Sequence, residues 1–336
     1  MSEPRHLLVT GASSGIGFEA VRRLQTMGHR LTLLCRSEQA VARTRLNLGT
    51  SARILMADLS DLEAVDRISH QLVDEGETVD TLVLNAGLQL AGTRTPQWSR
   101  QGIELTFAVN QLAHQRLLEH LLPLLMRAHA PRVVITASDV HNPLSGGGRV
   151  GRPADLGTLD GLRSGVGFAM VDGGRFDADK AYKDSKLCNV LLGRELSRRL
   201  EAQGKSFPVL TWSPGLVIPR GNEGFFRTSR ACNPLGMTLF ALLARDVLRL
   251  TETPTRAGEL LTDLCVGNRW SDPGFHYVSN HLVRPGQHLF EEVDTSAEGC
   301  DQAKATALWQ LSSELMQAVL PGAQPSPPWS CNAGCG

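Results

Sequence analysis

The stretch Thr10-Gly11-Ala12-Ser13-Ser14-Gly15-Ile16-Gly17 decides the fold of this 336-residue chain. A short apolar run, residues 6–10, precedes it, and an amphipathic segment follows from Gly15 to about Met27. An apolar run, a glycine cluster and an amphipathic segment are typical of a strand, a tight turn and a helix in that order. The sequence therefore opens with the unit from which parallel α/β sheets are built.

The glycine cluster has the spacing that a nucleotide phosphate site requires. Gly11 and Gly15 let the backbone turn tightly, and Gly17 lets the helix and the strand pack closely. The N-terminus of the helix then offers unpaired amides to a pyrophosphate. We expect this loop to bind a dinucleotide through Gly11, Ser13, Ser14, Gly15, Ile16 and Gly17.

Predicted strands and helices alternate as far as Trp212. Continuous apolar runs predict five more strands, at residues 30–35, 52–57, 81–84, 132–136 and 208–212. This alternation predicts an α/β fold, a Rossmann-type doubly wound parallel sheet whose strands are covered on both faces. We expect residues 1–320 to form a single catalytic domain with an inserted loop at 142–178 and a helical lid at 216–250. The composition of residues 321–336 predicts a disordered tail.

The composition excludes several classes of function. Lys plus Arg equals Asp plus Glu at 34 each, so the chain lacks the basic field that sequence-independent nucleic-acid binding needs. The first residues show no signal peptide, and charges interrupt the longest apolar stretch, 235–250, so we expect a cytoplasmic protein. Seven cysteines without a CxxC pair predict free thiols. Cys331 and Cys335 alone would not complete a zinc site, so no metal is expected.

The end of the second strand predicts which dinucleotide binds. Arg36 stands there, and no acidic residue is present to bind the ribose hydroxyls, which favours a 2′-phosphate and therefore NADPH. The alternative for Arg36 is a solvated surface side chain. Asp58 and Leu59 follow the third strand, and Asp58 is placed either to accept a hydrogen bond from the adenine amino group or to cap the next helix.

Four polar residues predict an acid–base site. Tyr182 and Lys186 stand four residues apart, so a helix places both on one face, and a nearby ammonium would lower the pKa of the phenol. Ser138 follows the fifth predicted strand, and Asn110 lies inside the preceding helix. A tyrosine prepared in this way is a proton donor that is recharged near neutral pH.

These motifs resemble those of the short-chain dehydrogenase/reductase family. Residues 6 to about 220 show the family order: the glycine motif, Asn85-Ala86-Gly87, Asn110, Ser138, Tyr182, Lys186 and Pro214-Gly215. The resemblance implies that Ser138 orients the substrate and that Tyr182 gives the proton. It implies that Lys186 holds the nicotinamide ribose and that Asn110 supports a water relay. By the same resemblance, the cofactor is bordered by Asn85, Ala86, Gly87, Tyr182, Lys186, Pro214 and Gly215.

The length of the chain supports a narrower resemblance. Ser138 and Tyr182 are 44 residues apart, and the spacer runs into Lys180-Ala181-Tyr182-Lys183-Asp184-Ser185-Lys186-Leu187-Cys188-Asn189. The spacer, this string and the ending 301–312 are similar to light-dependent protochlorophyllide oxidoreductases over nearly the whole chain. The resemblance implies light-driven hydride transfer from NADPH to the ring D double bond of protochlorophyllide, followed by protonation. It also implies a tetrapyrrole substrate and a peripheral place at a photosynthetic membrane.

The chain departs from that family in the pigment pocket. Ser213 and Leu216 replace the tyrosine and the cysteine that flank the family's Pro-Gly, and Gln89 stands where a tyrosine is common. Two alternatives therefore stay open. One is a light-independent reductase that acts on a carbonyl compound or another tetrapyrrole, and the other is a non-catalytic binder of pigment or nucleotide.

The segment 216–250 is rich in apolar side chains. We expect the substrate to contact Gln89, Leu216, Phe225, Phe226 and Phe240. Two interpretations of the segment carry equal weight. It is either an apolar lid over a flat hydrophobic ligand or a core helix whose exposed side contacts a membrane or a partner, a second copy of the chain included.

Overall fold

The computed structural model describes residues 3–219 and 225–320 of the chain. The predicted tail at 321–336, with Cys331 and Cys335, lies outside these residues. Residues 220–224 of the predicted lid lie outside them as well.

Eight strands form a central sheet in the described part of the chain. They are β1 (His6–Thr10), β2 (Arg30–Cys35), β3 (Arg53–Met56), β4 (Thr81–Leu84), β5 (Arg132–Thr136), β6 (Pro208–Ser213), β7 (Gly274–Arg284) and β8 (Gln287–Glu292). Their spatial order is β3-β2-β1-β4-β5-β6-β7-β8, and all neighbours are parallel except β7 and β8. The six predicted strands are confirmed to within one residue at each end. The sequence analysis did not predict β7 and β8.

Helices cover both faces of this sheet. They are α1 (Gly15–Thr26), α2 (Glu38–Leu48), α3 (Leu62–Glu75), α4 (Leu105–Phe107), α5 (Ala113–Leu125), α6 (Asp160–Arg163), α7 (Ala178–Ala202), α8 (Arg227–Cys232), α9 (Pro234–Ala241), α10 (Pro254–Val266) and α11 (Gln302–Val319). π-helical turns lie at Ala108–Leu112 and Leu242–Val247, and 3-10 turns at Asp139–His141, Asn268–Trp270 and Glu298–Cys300.

Alternate residues of each strand enter two separate cores. On β1, Leu8 packs into a larger core with α3, α5, α7 and α11, whereas Leu7 and Val9 pack into a smaller core with α1 and α10. Strands whose two faces are both buried, such as β1, β4 and β5, are nearly continuous apolar runs in the sequence. The predicted fold class, a Rossmann-type doubly wound sheet, is confirmed.

The chain reverses its direction of winding between β1 and β4. Strands β2 and β3 lie on one side of β1, and strands β4 to β8 lie on the other side. Ligands of such sheets bind outside the carboxyl ends of the strands at this switch point. Gly11, Asn85, Ser138 and Pro214 each follow the carboxyl end of a strand, or come within two residues of it, so the fold gathers the predicted motifs at one edge.

The predicted insertion at 142–178 is an ordered part of the fold. It contains the short helix α6 and buries Leu156 and Phe168 in the larger core. Lys183 of α7 donates hydrogen bonds to three backbone carbonyls within residues 148–152. The helix that carries the predicted catalytic tyrosine therefore also holds the insertion.

The described part of the predicted lid is helical. Helices α8 and α9 and the π-helical turn follow one another. Several of its apolar side chains face solvent, and Leu235 is 85% exposed. None of the helices described here has both the length and the hydropathy that crossing a membrane would require.

Candidate active site

The turn between β1 and α1 requires glycine at three positions. Gly11 and Gly15 have φ angles of +71° and +60°, in the left-handed region that other residues enter at a cost. A Cβ atom on Gly17 would lie 2.3 Å from the Gly11 carbonyl oxygen, so no side chain fits there. Within the described residues, Ser14 at the N-cap of α1 makes no side-chain hydrogen bond to the first turn. The amides of that turn are therefore placed to bind an anion.

Thr10 joins this turn to the turn after β4. Its hydroxyl oxygen accepts hydrogen bonds from the backbone amides of Asn85 and Ala86, both at 2.9 Å. The Asn85 side chain donates back to the carbonyl oxygens of Thr10 and Gly11, at 3.2 and 3.3 Å. The Asn85 side chain thus serves the structure of the site, and the cofactor contact predicted for it stays a prediction.

The predicted adenosine side of the site lies at the ends of β2 and β3. Arg36 is exposed there, directly before the N-cap of α2. The Asp58 carboxylate accepts hydrogen bonds from the amide and the hydroxyl of Ser60, both at 2.9 Å, and Asp61 caps α3. The alternative in which Asp58 caps the helix is therefore wrong. The Leu59 side chain is buried in the larger core, which leaves only its backbone for a cofactor.

Helix α7 brings Tyr182 to Ser138. The Ser138 hydroxyl lies close enough to the Tyr182 hydroxyl to lower its pKa. Lys186 lies one turn further along the helix, its Nζ 5.6 Å from the centre of the tyrosine ring. Lys186 is buried and donates to the carbonyl oxygen of Thr136 at 3.0 Å. The predicted spacing therefore does place these three side chains together.

Asn110 lies in a π-helical turn and holds the turn after β4. Its side-chain oxygen accepts from the Leu88 amide at 2.8 Å, and its amide nitrogen donates to the Leu88 carbonyl and to Ser185 Oγ, at 2.9 and 3.0 Å. A Cβ atom on Gly87 would lie 3.4 Å from Lys186 Nζ and 3.5 Å from Asn110 Oδ1. Lys186 and Asn110 therefore border the same space beside Gly87.

Burial controls the titration of this site. It raises the pKa of Tyr182, and the nearby Ser138 hydroxyl opposes this effect only in part. Burial lowers the pKa of Lys186 to about 7, so this lysine is largely neutral above that pH. The prediction of a lowered tyrosine pKa is wrong for the protein without cofactor, because removal of the phenol from water outweighs the effect of the nearby amine.

The sequence analysis missed His114, which links the two halves of the site. Its Nδ1 donates to the Asn110 carbonyl oxygen at 3.0 Å, and its Nε2 accepts from the Thr10 hydroxyl at 3.1 Å. Burial, followed by the charge of Lys186, lowers the pKa of His114 to about 3. The ring is therefore neutral, and it fixes Asn110 against the strand that carries the glycine turn. The spacing of four residues between Asn110 and His114 was the available signal.

The predicted substrate residues differ in their surroundings. Phe225 packs edge to face on Tyr182 with 5.2 Å between the ring centres, and Phe226 packs on Phe225 in the same way. Leu216 packs against a small buried cluster of the lid. Gln89 is buried, and its Nε2 has no hydrogen-bond partner among the described residues. Phe240 is 44% exposed. The contact of this segment with a membrane or a partner stays a prediction.

Comparisons with known proteins agree with the fold. Residues 5–147 match the family model for short chain dehydrogenases. An uncharacterized protein from Mycobacterium paratuberculosis shares the fold, with a TM-score of 0.64 and 23% identity over 93% of each chain. The Pseudomonas aeruginosa RhlG/NADP complex gives a TM-score of 0.58 at 22% identity, over 82% of this chain and 94% of that one. The chain belongs to the short-chain dehydrogenase/reductase family of oxidoreductases.

Within that family the chain is similar to protochlorophyllide reductases. The chloroplastic enzyme of Chlamydomonas reinhardtii is 32% identical over 319 residues, which cover 92% of this chain and 77% of that protein. The protochlorophyllide reductase of Avena sativa is 31% identical over 322 residues, 92% of this chain and 99% of that protein. The resemblance found in the sequence motifs is confirmed.

The buried lysine predicts an unusual stability profile. Because the pKa of Lys186 is about 7 in the folded chain and about 10.4 in the unfolded one, the unfolded chain binds more protons between these pH values. Wild-type stability should therefore rise with pH in this range. Lys186→Met should raise the free energy of unfolding by on the order of 4 kcal/mol at pH 7, and the gain should shrink toward pH 10. Denaturant titrations at several pH values measure both effects.

The matched control is Lys205→Met, because Lys205 is exposed. It should change stability little at any of these pH values. In Lys186→Met the Thr136 carbonyl oxygen still accepts a hydrogen bond from the Asn189 side chain. The variant therefore leaves this buried acceptor with a partner. A gain that stays constant from pH 7 to pH 10 would contradict the lowered pKa.

Proposed function

We propose that the chain is an NADPH-dependent oxidoreductase of the protochlorophyllide reductase type. The observation that carries the proposal is the placement of Tyr182 beside Ser138 and the buried Lys186. A phenol held in this way supports proton transfer to a bound substrate. The similarity to named protochlorophyllide reductases, which covers 92% of the chain, supports the substrate class.

The residues present fit NADPH. The first turn of α1 has amides for the pyrophosphate, and Arg36 is exposed at the end of β2 with no acidic residue beside it in the sequence. Lys186 and Asn110 border the same space beside Gly87, where Lys186 would hold the nicotinamide ribose. NADPH supplies the hydride when bound.

Tyr182 supplies the proton at its hydroxyl oxygen. The Ser138 hydroxyl favours the phenolate that forms, because it lowers the pKa that burial has raised. Ser138 is half-buried, so its hydroxyl is also available to orient the substrate. The low pKa of Lys186 lets this amine take up and release a proton near neutral pH, which suits a role in recharging the tyrosine.

A flat apolar substrate suits the side of Tyr182 that Phe225 covers. The rings of Tyr182, Phe225 and Phe226 pack edge to face and form one aromatic cluster. We propose that a tetrapyrrole packs against this cluster and is reduced in a light-driven reaction.

A light-independent reductase is the second candidate, and Ser213 favours it. The Ser213 side chain is buried and accepts hydrogen bonds from the amides of Asp139 and Gly215, at 3.0 and 3.3 Å. It therefore completes the end of β6 and cannot replace the tyrosine of the pigment pocket. A smaller carbonyl compound or another tetrapyrrole would not need that contact. A non-catalytic binder, by contrast, would not require Tyr182 and Lys186 to lie beside each other.

The cofactor preference is tested at Arg36. We expect NADPH to bind at least about ten-fold more tightly than NADH, a difference of about 1.4 kcal/mol, because a guanidinium pairs with the 2′-phosphate. Arg36→Asp should narrow or reverse the preference in fluorescence titrations. Arg45→Asp on the exposed side of α2 makes the same change in net charge and should leave the preference intact. Equal affinities of the wild type for both dinucleotides would refute the assignment.

The proton donor is tested with Tyr182→Phe. Phenylalanine keeps the ring contact with Phe225 and removes only the hydroxyl. Turnover should fall by at least about 10² while the dissociation constant of NADPH stays unchanged. Hydride transfer and protonation should be followed separately, since an intermediate can accumulate when only the proton step fails. Full turnover in this variant would remove Tyr182 from the mechanism.

The substrate is tested with NADPH, protochlorophyllide and a light flash. We expect pigment binding in the micromolar range and product absorbance that appears after the flash and not in the dark. Dark oxidation of NADPH with simple ketones, without pigment binding, would establish the second candidate instead. Pigment binding with neither reaction would identify a binder.

Restoring the family's cysteine is a sharper form of the same test. Leu216→Cys should raise the flash yield if the lost cysteine limits it. Ser213→Tyr is a poor companion, because it would remove the acceptor of the Asp139 and Gly215 amides. A double variant that includes it would confuse a pocket effect with damage to the strand end.

A further inference from the structure

The chain has only two tyrosines, and both lie beside the same turn. The Tyr182 hydroxyl lies close to Ser138, and Tyr277 on β7 donates to the carboxylate of Asp139 at 2.9 Å. Ser138 and Asp139 are consecutive residues just after the end of β5. The turn that carries the predicted catalytic serine therefore lies between the phenol of α7 and the phenol of β7.

Asp139 is fixed by both its side chain and its backbone. Ser279, two residues after Tyr277 on the same strand, bonds both carboxylate oxygens, at 2.9 and 2.8 Å. The Asp139 amide donates to Ser213 Oγ at 3.0 Å. Residues from β6 and β7 therefore fix the position directly after Ser138.

The Ser138 carbonyl is fixed as well. His141 donates from Nδ1 to this oxygen at 2.8 Å and accepts at Nε2 from the Ser296 amide at 3.2 Å. The His141 ring also packs edge to face on Tyr277, 5.0 Å between ring centres. Burial lowers the pKa of His141, which keeps the ring in the neutral form that this pair of hydrogen bonds requires.

All of these partners are buried, whereas the turn itself is half-buried. Tyr277, Ser279, Ser213 and His141 are each at most 2% exposed. Buried polar groups are rarely placed without hydrogen bonds, and here their bonds converge on two consecutive residues. The hydroxyl at position 213 must be short to reach the Asp139 amide, so the serine found there in place of a tyrosine is itself part of this arrangement.

We propose that Asp139 is a positioning residue, which acts with Tyr277 and Ser279 to hold Ser138 beside the hydroxyl of Tyr182. This role rests on the proposed function only in so far as Ser138 and Tyr182 carry the reaction. The contact itself belongs to the folded chain without substrate, so it is measurable without knowing the substrate.

Tyrosine labelled with ¹³C at Cζ tests the proposal directly. Two tyrosines give two NMR signals, which Tyr182→Phe and Tyr277→Phe assign. In Asp139→Ala both signals should shift, that of Tyr277 through loss of its acceptor and that of Tyr182 through displacement of Ser138. In Asp139→Asn, which keeps an oxygen acceptor, the Tyr182 signal should lie close to its wild-type position. A Tyr182 signal that stays at its wild-type position in Asp139→Ala overturns the proposal.

Ser279→Ala keeps the test decisive should Asp139→Ala fail to fold. It removes one donor to the carboxylate and should shift the Tyr182 signal in the same direction. The control is Ser69→Ala, which removes an equally buried hydroxyl that bonds only within α3. An equal shift of the Tyr182 signal in Ser69→Ala would mean that any loss of packing has this effect, and would also overturn the proposal.

Turnover provides the second readout. Asp139→Ala should lower kcat by about 10 to 100-fold, as expected for a misplaced catalytic group, with the NADPH dissociation constant unchanged and partial recovery in Asp139→Asn. Wild-type turnover in Asp139→Ala would overturn the positioning role. If the wild type reduces no tetrapyrrole, the proposed function fails, and the NMR signals still decide whether Asp139 positions Ser138.

Discussion

A series of side-chain hydrogen bonds links the carboxyl ends of four strands and supports the whole site. The Trp212 indole donates to the Thr136 hydroxyl at 3.0 Å, which donates to Asn85 Oδ1 at 3.1 Å, and Asn85 Nδ2 donates to the Thr10 carbonyl. Strands β6, β5, β4 and β1 are thereby joined beyond their backbone ladder. The Thr136 carbonyl oxygen also accepts a hydrogen bond from Lys186, so α7 is joined to the same network. The cofactor turn and the catalytic helix are consequently positioned by one buried polar network.

The sequence predicted the strands that are apolar throughout and missed the strand whose polar residues serve the site. Strands β1, β2, β4, β5 and β6 are buried along almost their whole length, so each is a nearly continuous apolar run, and the edge strand β3 is apolar although it is partly exposed. Strand β7 has Ser279 and Asn280 in its buried middle, because Ser279 bonds Asp139 and Asn280 bonds the Pro214 carbonyl. These polar residues interrupt the apolar pattern. Hydrophobic periodicity therefore failed to predict β7, because this strand carries polar residues that the site requires.

The residues of the candidate site could be predicted from the sequence, but their pKa values could not. A spacing of four residues on a helix places Tyr182 and Lys186 on one face whatever surrounds them. Their pKa values depend on the depth of burial, which α7 acquires only by packing between the sheet and α11. Desolvation therefore reversed the prediction for Tyr182, although the neighbour that motivated it is present. His114 was missed for a related reason, since a single histidine in an apolar helix shows its partners only when the chain is folded.

Helix α7 also explains how the chain keeps the predicted acid–base residues while its predicted pocket differs. Tyr182 and Lys186 face the carboxyl edge of the sheet, whereas Lys183, one residue on from Tyr182 and so rotated by about 100°, bonds the carbonyls of the insertion. One helix therefore fixes both these side chains and the long segment between Ser138 and Tyr182. Leu216 lies just beyond β6 and packs in the small cluster of the lid, whereas Ser213 accepts the Asp139 amide and so supports the turn that carries Ser138. A change at Leu216 therefore alters the predicted pocket alone, whereas a change at Ser213 also reaches the predicted catalytic turn.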